Sequence, residues 1–225
     1  MKIIEMQFPK FDNIQMTEGL NQLKINLAFC GKNINVITVT STVPDEGKSS
    51  VSFNLACTLA DSGKKVLLVD CDLRNSNMVS RYHITNIGKG LSHYLSGQAD
   101  IDEIVYGTKK KHFYMLPSGP FVLDPTTLLE SEDFTNLIRE MRKVFHYIIL
   151  DAPPLGVVMD PVIIGQNSDG AVVVIEQGVI KRKLIQNVVK QLKRADIRVL
   201  GAVLNKVNNK DKYGNYGYYG YGNKK

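Results

Sequence analysis

Apolar positions along this chain fall into two patterns. Short unbroken runs of aliphatic and β-branched residues occur at Val36–Thr40, Val66–Asp70, Tyr147–Asp151, Ala171–Ile175 and Val199–Asn205. Each is too short for a helix, and none shows the alternation of a strand with one wet face. They therefore read as parallel strands buried on both sides. Between them, apolar residues recur at helical spacing: in Thr17–Phe29 (Leu20, Leu23, Leu27, Ala28), from Lys48 to Asp61 with Gly63 as a stop, in Phe134–Val144 and in Arg182–Arg194. Strands alternating with helices predict one α/β domain, a mostly parallel sheet flanked by helices with right-handed crossovers. Ligands of such sheets bind at the carboxyl ends of the strands, so the residues just beyond each run are the candidates for chemistry.

The first strand runs into Ser41-Thr42-Val43-Pro44-Asp45-Glu46-Gly47-Lys48-Ser49-Ser50 and then a helix. This is the C-terminal half of a P-loop. Gly47 lets the backbone approach phosphates, Lys48 reaches the β and γ oxygens, and Ser49 offers a hydroxyl to Mg²⁺. Asp45, Glu46, Gly47, Lys48, Ser49 and Ser50 are the expected ATP-cradling segment. Thr42 stands where the strict pattern has glycine. Two more runs end in carboxylates: Asp70 and Asp72 after Val66–Val69, and Asp151-Ala152-Pro153-Pro154 after Tyr147–Leu150. Either aspartate alone could be a cap or turn residue. Three at strand tips beside one lysine suit metal binding and proton handling.

Together, Gly47-Lys48-Ser49, the D-x-D-x-R set Asp70, Asp72 and Arg74, and Asp151-Ala152-Pro153-Pro154 resemble the bacterial tyrosine kinases. The likeness extends through Gly90-Leu91, Leu116-Pro117-Ser118-Gly119 and Asp124-Pro125 to Leu128-Leu129-Glu130-Ser131, and includes a tyrosine-rich tail. Asp45 replaces a usual glycine and Asp124 a usual asparagine. The resemblance implies a P-loop NTPase fold of the MinD/ParA type and ATP and Mg²⁺ as cofactors. It places Ser49, Asp72 and Asp151 at the metal, with Asp70 helping to accept the tyrosine proton; the sequence leaves open which aspartate is the base. Asn205 matches the position of an adenine-contacting amide, or simply ends its strand. The resemblance also implies work in capsule or exopolysaccharide synthesis. A membrane-anchored chain-length regulator would be the activator and a protein-tyrosine phosphatase the opponent.

From Lys206 the composition changes. Tyr213, Tyr216, Tyr218, Tyr219 and Tyr221 are half of the chain's ten tyrosines, set among Gly, Asn and Lys. Without aliphatics this segment, 206–225, is expected to be disordered and to serve as the phosphoacceptor cluster. It holds five lysines and one aspartate, so +4 of the net +6 is local, and the body carries too little charge for a nucleic-acid surface. Residues 1–16 are expected to be an extension and 17–205 the kinase domain. Its first helix sets Glu18, Asn21 and Lys24 on one face, where the family's E-x-x-R-x-x-R pairs subunits into a ring. Losing both arginine forks predicts weaker homo-oligomers. Lys181-Arg182-Lys183 is a solvated helix start or a docking site for acidic segments.

No run approaches a membrane span and no signal-peptide stretch opens the chain, so a cytoplasmic protein recruited to the membrane through its partner is expected. Cys30, Cys57 and Cys71 lack metal-ligand spacing and read as free buried thiols, Cys71 being the one to watch for oxidation. The rival readings are a MinD/ParA-type ATPase switch without kinase activity and a non-catalytic adaptor. Val43 stands where the switch ATPases carry a second lysine.

Overall fold

A computed structural model describes residues 1–9 and 14–207; the tyrosine cluster and most of the tail lie outside them. The sheet consists of β1 (Val36–Ser41), β2 (Val66–Asp70), β3 (Tyr106–Gly107), β4 (Phe113–Leu116), β5 (Tyr147–Asp151), β6 (Gly170–Glu176) and β7 (Val199–Asn205). Their order is β3-β4-β2-β5-β1-β6-β7, parallel throughout except for β3, which runs antiparallel to β4. The principal helices are α1 (Ile14–Phe29), α2 (Lys48–Asp61), α7 (Glu132–Arg142) and α9 (Arg182–Arg194). Shorter ones are α3 (Met78–Arg81), α4 (Leu91–Leu95), α5 (Ile101–Ile104), α6 (Pro125–Glu130) and α8 (Asp160–Gln166).

The unbroken apolar runs follow from burial on both faces. In β2, Val66 and Leu68 face α2 and its Phe53, whereas Leu67 and Val69 face α7 through Phe134, Leu137 and Ile138. Phe53 stacks on Tyr82 with ring centroids 3.7 Å apart and meets Phe113 edge-on at 5.3 Å. That packing pins α2, and with it the phosphate loop, to the sheet. Asp70 and Asp151 are paired in register at the tips of adjacent β2 and β5, so two carboxylates are forced into one place by strand pairing alone.

Three expectations need correction. Helix α1 starts at Ile14 rather than Thr17, and part of the expected extension is built into the fold. Ile4 is fully buried, Ile3 bridges to Gly107 and Glu5 to Thr85. β7 is not doubly buried: it is the sheet edge, with Gly201, Ala202 and Leu204 exposed. Its Val199, Leu200 and Val203 are partly buried against the core, which accounts for the apolar character of an edge strand. On α1, Leu20 and Leu27 are buried, Glu18 and Asn21 are exposed and Lys24 is half-buried. No described helix is long and apolar enough to cross a membrane.

Candidate active site

The loop between β1 and α2 is shaped by its own side chains. Glu46 is buried, and its Oε2 accepts from Thr42 N at 2.6 Å, Thr42 Oγ1 at 2.6 Å and Val43 N at 2.9 Å. Its Oε1 accepts from Glu176 N at 3.0 Å, tying the loop to β6. Behind the loop, Asn205 Nδ2 donates to Glu46 O at 2.9 Å. Gly47 follows with φ +89°, a left-handed conformation that glycine adopts at no cost. Asp45 takes φ +64°. Besides glycine, Asp and Asn are the residues that enter that region most readily.

Lys48, the first residue of α2, projects across the strand tips. Its ammonium lies 3.2 Å from Asp72 Oδ2, 4.0 Å from Asp151 Oδ2 and 3.3 Å from Ser49 Oγ. Burial works against its charge, but Asp151 and Asp72 outweigh that and raise its pKa above the ordinary value. Asp151 is held by Ser52 Oγ, which donates to Oδ1 at 2.9 Å. Burial raises its pKa, with Lys48, Ser49 and Ser52 opposing. Asp72 Oδ1 accepts from Asn75 N at 3.0 Å. Asp70 accepts from Ser76 Oγ and, at 3.3 Å, from Asp72 N. It has no cation within ion-pair distance among the described residues, and burial together with neighbouring Asp151 pushes its pKa up to about 7. Cys71 is fully buried, and burial together with the Asp70 carboxylate holds its thiol well above its usual range.

These groups line a cleft of about 220 Å³ at the carboxyl ends of β1, β2 and β5. Asp45, Gly47, Lys48, Ser49, Asp70, Asp72 and Asp151 all face it. The side chains of Glu46, Ser50 and Asn205 do not line it: Glu46 and Asn205 brace the loop from behind, and Ser50 Oγ accepts from Arg81 Nη1 at 2.6 Å. One wall is fixed by Arg74, whose guanidinium makes a bidentate pair with buried Asp160 (Nε–Oδ2 2.6 Å, Nη2–Oδ1 2.9 Å). Thr126 Oγ1 closes the triangle, 2.9 Å from Arg74 Nη2 and 3.1 Å from Asp160 Oδ1. Sequence reasoning missed Ser52, Ser76, Thr126 and Asp160. Ser52 lies one turn after Ser49 and was findable; the others become partners only through the tertiary fold.

Among the described residues, no three His, Cys, Asp or Glu side chains form a self-sufficient metal cage. The donors present are the oxygens of Ser49, Asp72 and Asp151. They suit Mg²⁺, which takes one or two carboxylates and fills its other positions with phosphate and water.

Loops of this build at the head of a parallel sheet hold nucleotide phosphates, and fold and site together define a P-loop nucleotide-binding domain. A family profile described as an AAA domain matches residues 34–204. Tyrosine-protein kinase CpsD of Streptococcus agalactiae is 40% identical over 204 residues, covering 90% of this chain and 89% of its own. The kinase domain of the Escherichia coli tyrosine kinase ETK superposes with a TM-score of 0.83 at 26% identity, covering 96% of this chain and 86% of that one. The septum site-determining protein MinD of Pyrococcus horikoshii, solved with Mg-ADP, shares the fold at a TM-score of 0.68 and 24% identity, covering 79% and 72%. This chain belongs to the bacterial tyrosine-protein kinases, and its enzyme class is protein-tyrosine kinase.

Proposed function

We propose that the chain transfers the γ-phosphoryl group of ATP to the tyrosines of its own C-terminal cluster, Tyr213, Tyr216, Tyr218, Tyr219 and Tyr221, within a homo-oligomer. The observation that carries this reading is the division among three strand-tip carboxylates. Asp72 and Asp151 are engaged with Lys48, while Asp70, with its pKa near 7, is left to exchange a proton at neutral pH. Ser49, Asp72 and Asp151 would hold Mg²⁺, which would supply charge neutralisation to the phosphates. Lys48 orients the β and γ oxygens, Gly47 and the first amides of α2 hold them, and Asp70 takes the proton as the tyrosine oxygen bonds to phosphorus and ADP leaves. Asn205 holds the loop in shape from behind by donating to Glu46 O.

In this reading the chain serves capsule or exopolysaccharide synthesis. A membrane-anchored chain-length regulator recruits and activates it, a tyrosine phosphatase resets it, and α1 joins subunits through a face lacking the family's arginines. The test is incubation of purified protein with ATP and Mg²⁺ and detection of phosphotyrosine, with Lys48→Met as control. Signal in wild type lost in the variant is expected. ATP hydrolysis without phosphotyrosine would favour the switch-ATPase reading.

A further inference from the structure

The outward face of α9 carries a single sign of charge. The helix holds Arg182, Lys183, Lys190, Lys193 and Arg194 and no carboxylate, and Lys181 precedes it. At 3.6 residues per turn its five cations fall within an arc of about 120° along about 18 Å of helix, nearly opposite Val188 and Leu192. Those two are buried against Ala171, Val173 and Ile197, and all six cations are exposed. None of the six joins an ion pair among the described residues. Asp196, the next acidic residue, lies beyond the end of the helix. α7 shows an ordinary solvated face: Glu132, Asp133 and Glu140 are mixed with Arg139 and Arg142, and Arg142 pairs with Asp169. Residues 1–205 sum to +2, yet residues 181–194 alone hold +6, so the rest of that body is net acidic. At the N-terminal end of α9, Val179 and Leu184 are 63% and 44% exposed.

We infer that this face docks on an anionic lipid surface, with the cations against the headgroups and Val179 and Leu184 entering the headgroup layer. Such docking needs only the folded domain and stands apart from phosphoryl transfer. It gives the chain a lipid contact of its own, besides any that a protein partner supplies. A row of unpaired cations on a convex helix matches a plane of negative charge. No α9 residue lines the active-site cleft or the groove beside Tyr94 and Phe145, either of which could enclose a peptide. A nucleic-acid backbone would satisfy the charge but leave the two aliphatic side chains without a partner. Cations flanked by exposed aliphatics are the composition of helices that lie on membranes. Each Lys or Arg near an anionic leaflet is worth about fivefold in affinity, so six together bind where one would not. Alternate residues of β6 separate the two sides of the sheet: Val172 and Val174 pack with α2 and Leu27 of α1, Ala171 and Val173 with α9. Docking through α9 therefore leaves α1 free on the other side.

The test sediments the full chain with vesicles of phosphatidylcholine alone and of phosphatidylcholine carrying about one third phosphatidylserine, at low salt and at about 0.5 M salt. Wild type is expected to bind the anionic vesicles at low salt, and neither the neutral vesicles nor the anionic ones at high salt. Lys183→Gln with Lys190→Gln and Lys193→Gln is expected to lower the partition constant on the order of a hundredfold. ATP affinity and thermal unfolding stay as in wild type, which separates docking from a folding defect. The tail, also cationic, is untouched in this variant, so binding equal to wild type would assign the vesicle affinity to the tail and overturn the role of α9. The chain contains no tryptophan, so Leu184→Trp supplies a single reporter. Its emission is expected to shift to the blue with anionic vesicles only; sedimentation without that shift overturns the entry of Val179 and Leu184 into the headgroups. Absence of wild-type binding to anionic vesicles overturns the proposal as a whole, and α9-dependent capture of a polyglutamate peptide in its place would make the partner an acidic protein segment.

Discussion

The side-chain amide of Asn205 occupies the place where a Cβ on Gly47 would stand: the nitrogen lies 2.1 Å from that position while donating to Glu46 O at 2.9 Å. The last residue of the edge strand therefore fixes the shape of the phosphate loop 159 residues earlier.

A double-mutant cycle reads this contact. Gly47→Ala meets both the amide and an unfavourable φ, so it is expected to cost about 2 kcal/mol or more of stability and to weaken ATP binding at least tenfold. Asn205→Ala loses one hydrogen bond, about 1 kcal/mol. Because the second change removes the obstacle met by the first, the double variant is expected to lose about 1 kcal/mol less than the sum. Strict additivity in chemical unfolding would show that the two residues do not oppose each other.

Asp45 supplies a second prediction. Its left-handed φ of +64° costs an L-residue about 1 kcal/mol, less for aspartate than for most, and its exposed carboxylate lines a cleft meant for polyanions. Two unit charges about 6 Å apart in water interact by roughly 0.7 kcal/mol. Asp45→Gly is therefore expected to tighten ATP binding about threefold at low ionic strength. The gain should shrink toward nothing in 0.5 M salt, where screening acts over only a few ångströms. Calorimetric titration at two salt concentrations decides it, and equal affinities of both proteins at low salt would remove Asp45 from the phosphate field.

The site's framework was legible because parallel strands buried on both faces announce themselves as apolar runs, and the chemistry sits at their ends. β2 and β5 were read with their observed bounds, and their register alone brings Asp70 beside Asp151. β7 showed the same kind of run, yet lies at the sheet edge, because local composition does not record whether a strand has one neighbour or two. The short helices α3, α4, α5 and α8 span one to two turns, too little for any periodicity to emerge. Asp160 was invisible for a different reason. It is 86 residues from Arg74 in sequence, and only the contact between the loop after β2 and the start of α8 makes it the buried partner of that guanidinium. Glu46 was read as a nucleotide contact from its place in the motif. Its carboxylate satisfies Thr42, Val43 and Glu176, a bracing role that motif spacing does not reveal.

Asp70 gives a pH dependence whose sign is fixed. Burial first, and then the Asp151 carboxylate, lift its pKa from 3.8 to about 7 in the folded chain. Between those values the folded state holds a proton that the unfolded state has released. Stability contributed by this group is thus fully present below about pH 4 and is lost as pH rises through 7. The ceiling on the loss is about 4 kcal/mol, since each unit of pKa difference is worth about 1.4 kcal/mol. Asp151, also raised, acts in the same direction, whereas Lys48, raised above its ordinary 10.5, keeps its contribution throughout this window. Outlying carboxylates with lowered pKa, such as Asp169 beside Arg142, act oppositely below about pH 4. They are common to wild type and variant and cancel in the comparison. Asp70→Asn keeps the shape and the Ser76 contact but cannot ionise. In nucleotide-free, Mg²⁺-free protein, urea midpoints measured from pH 4.5 to 8 are expected to fall with pH in wild type and to fall much less in Asp70→Asn. The two proteins should be closest near pH 4.5 and the variant clearly more stable by pH 8. Parallel profiles would mean that Asp70 ionises in the folded chain as readily as in the unfolded one, and the proton-accepting role assigned to it would lose its physical basis.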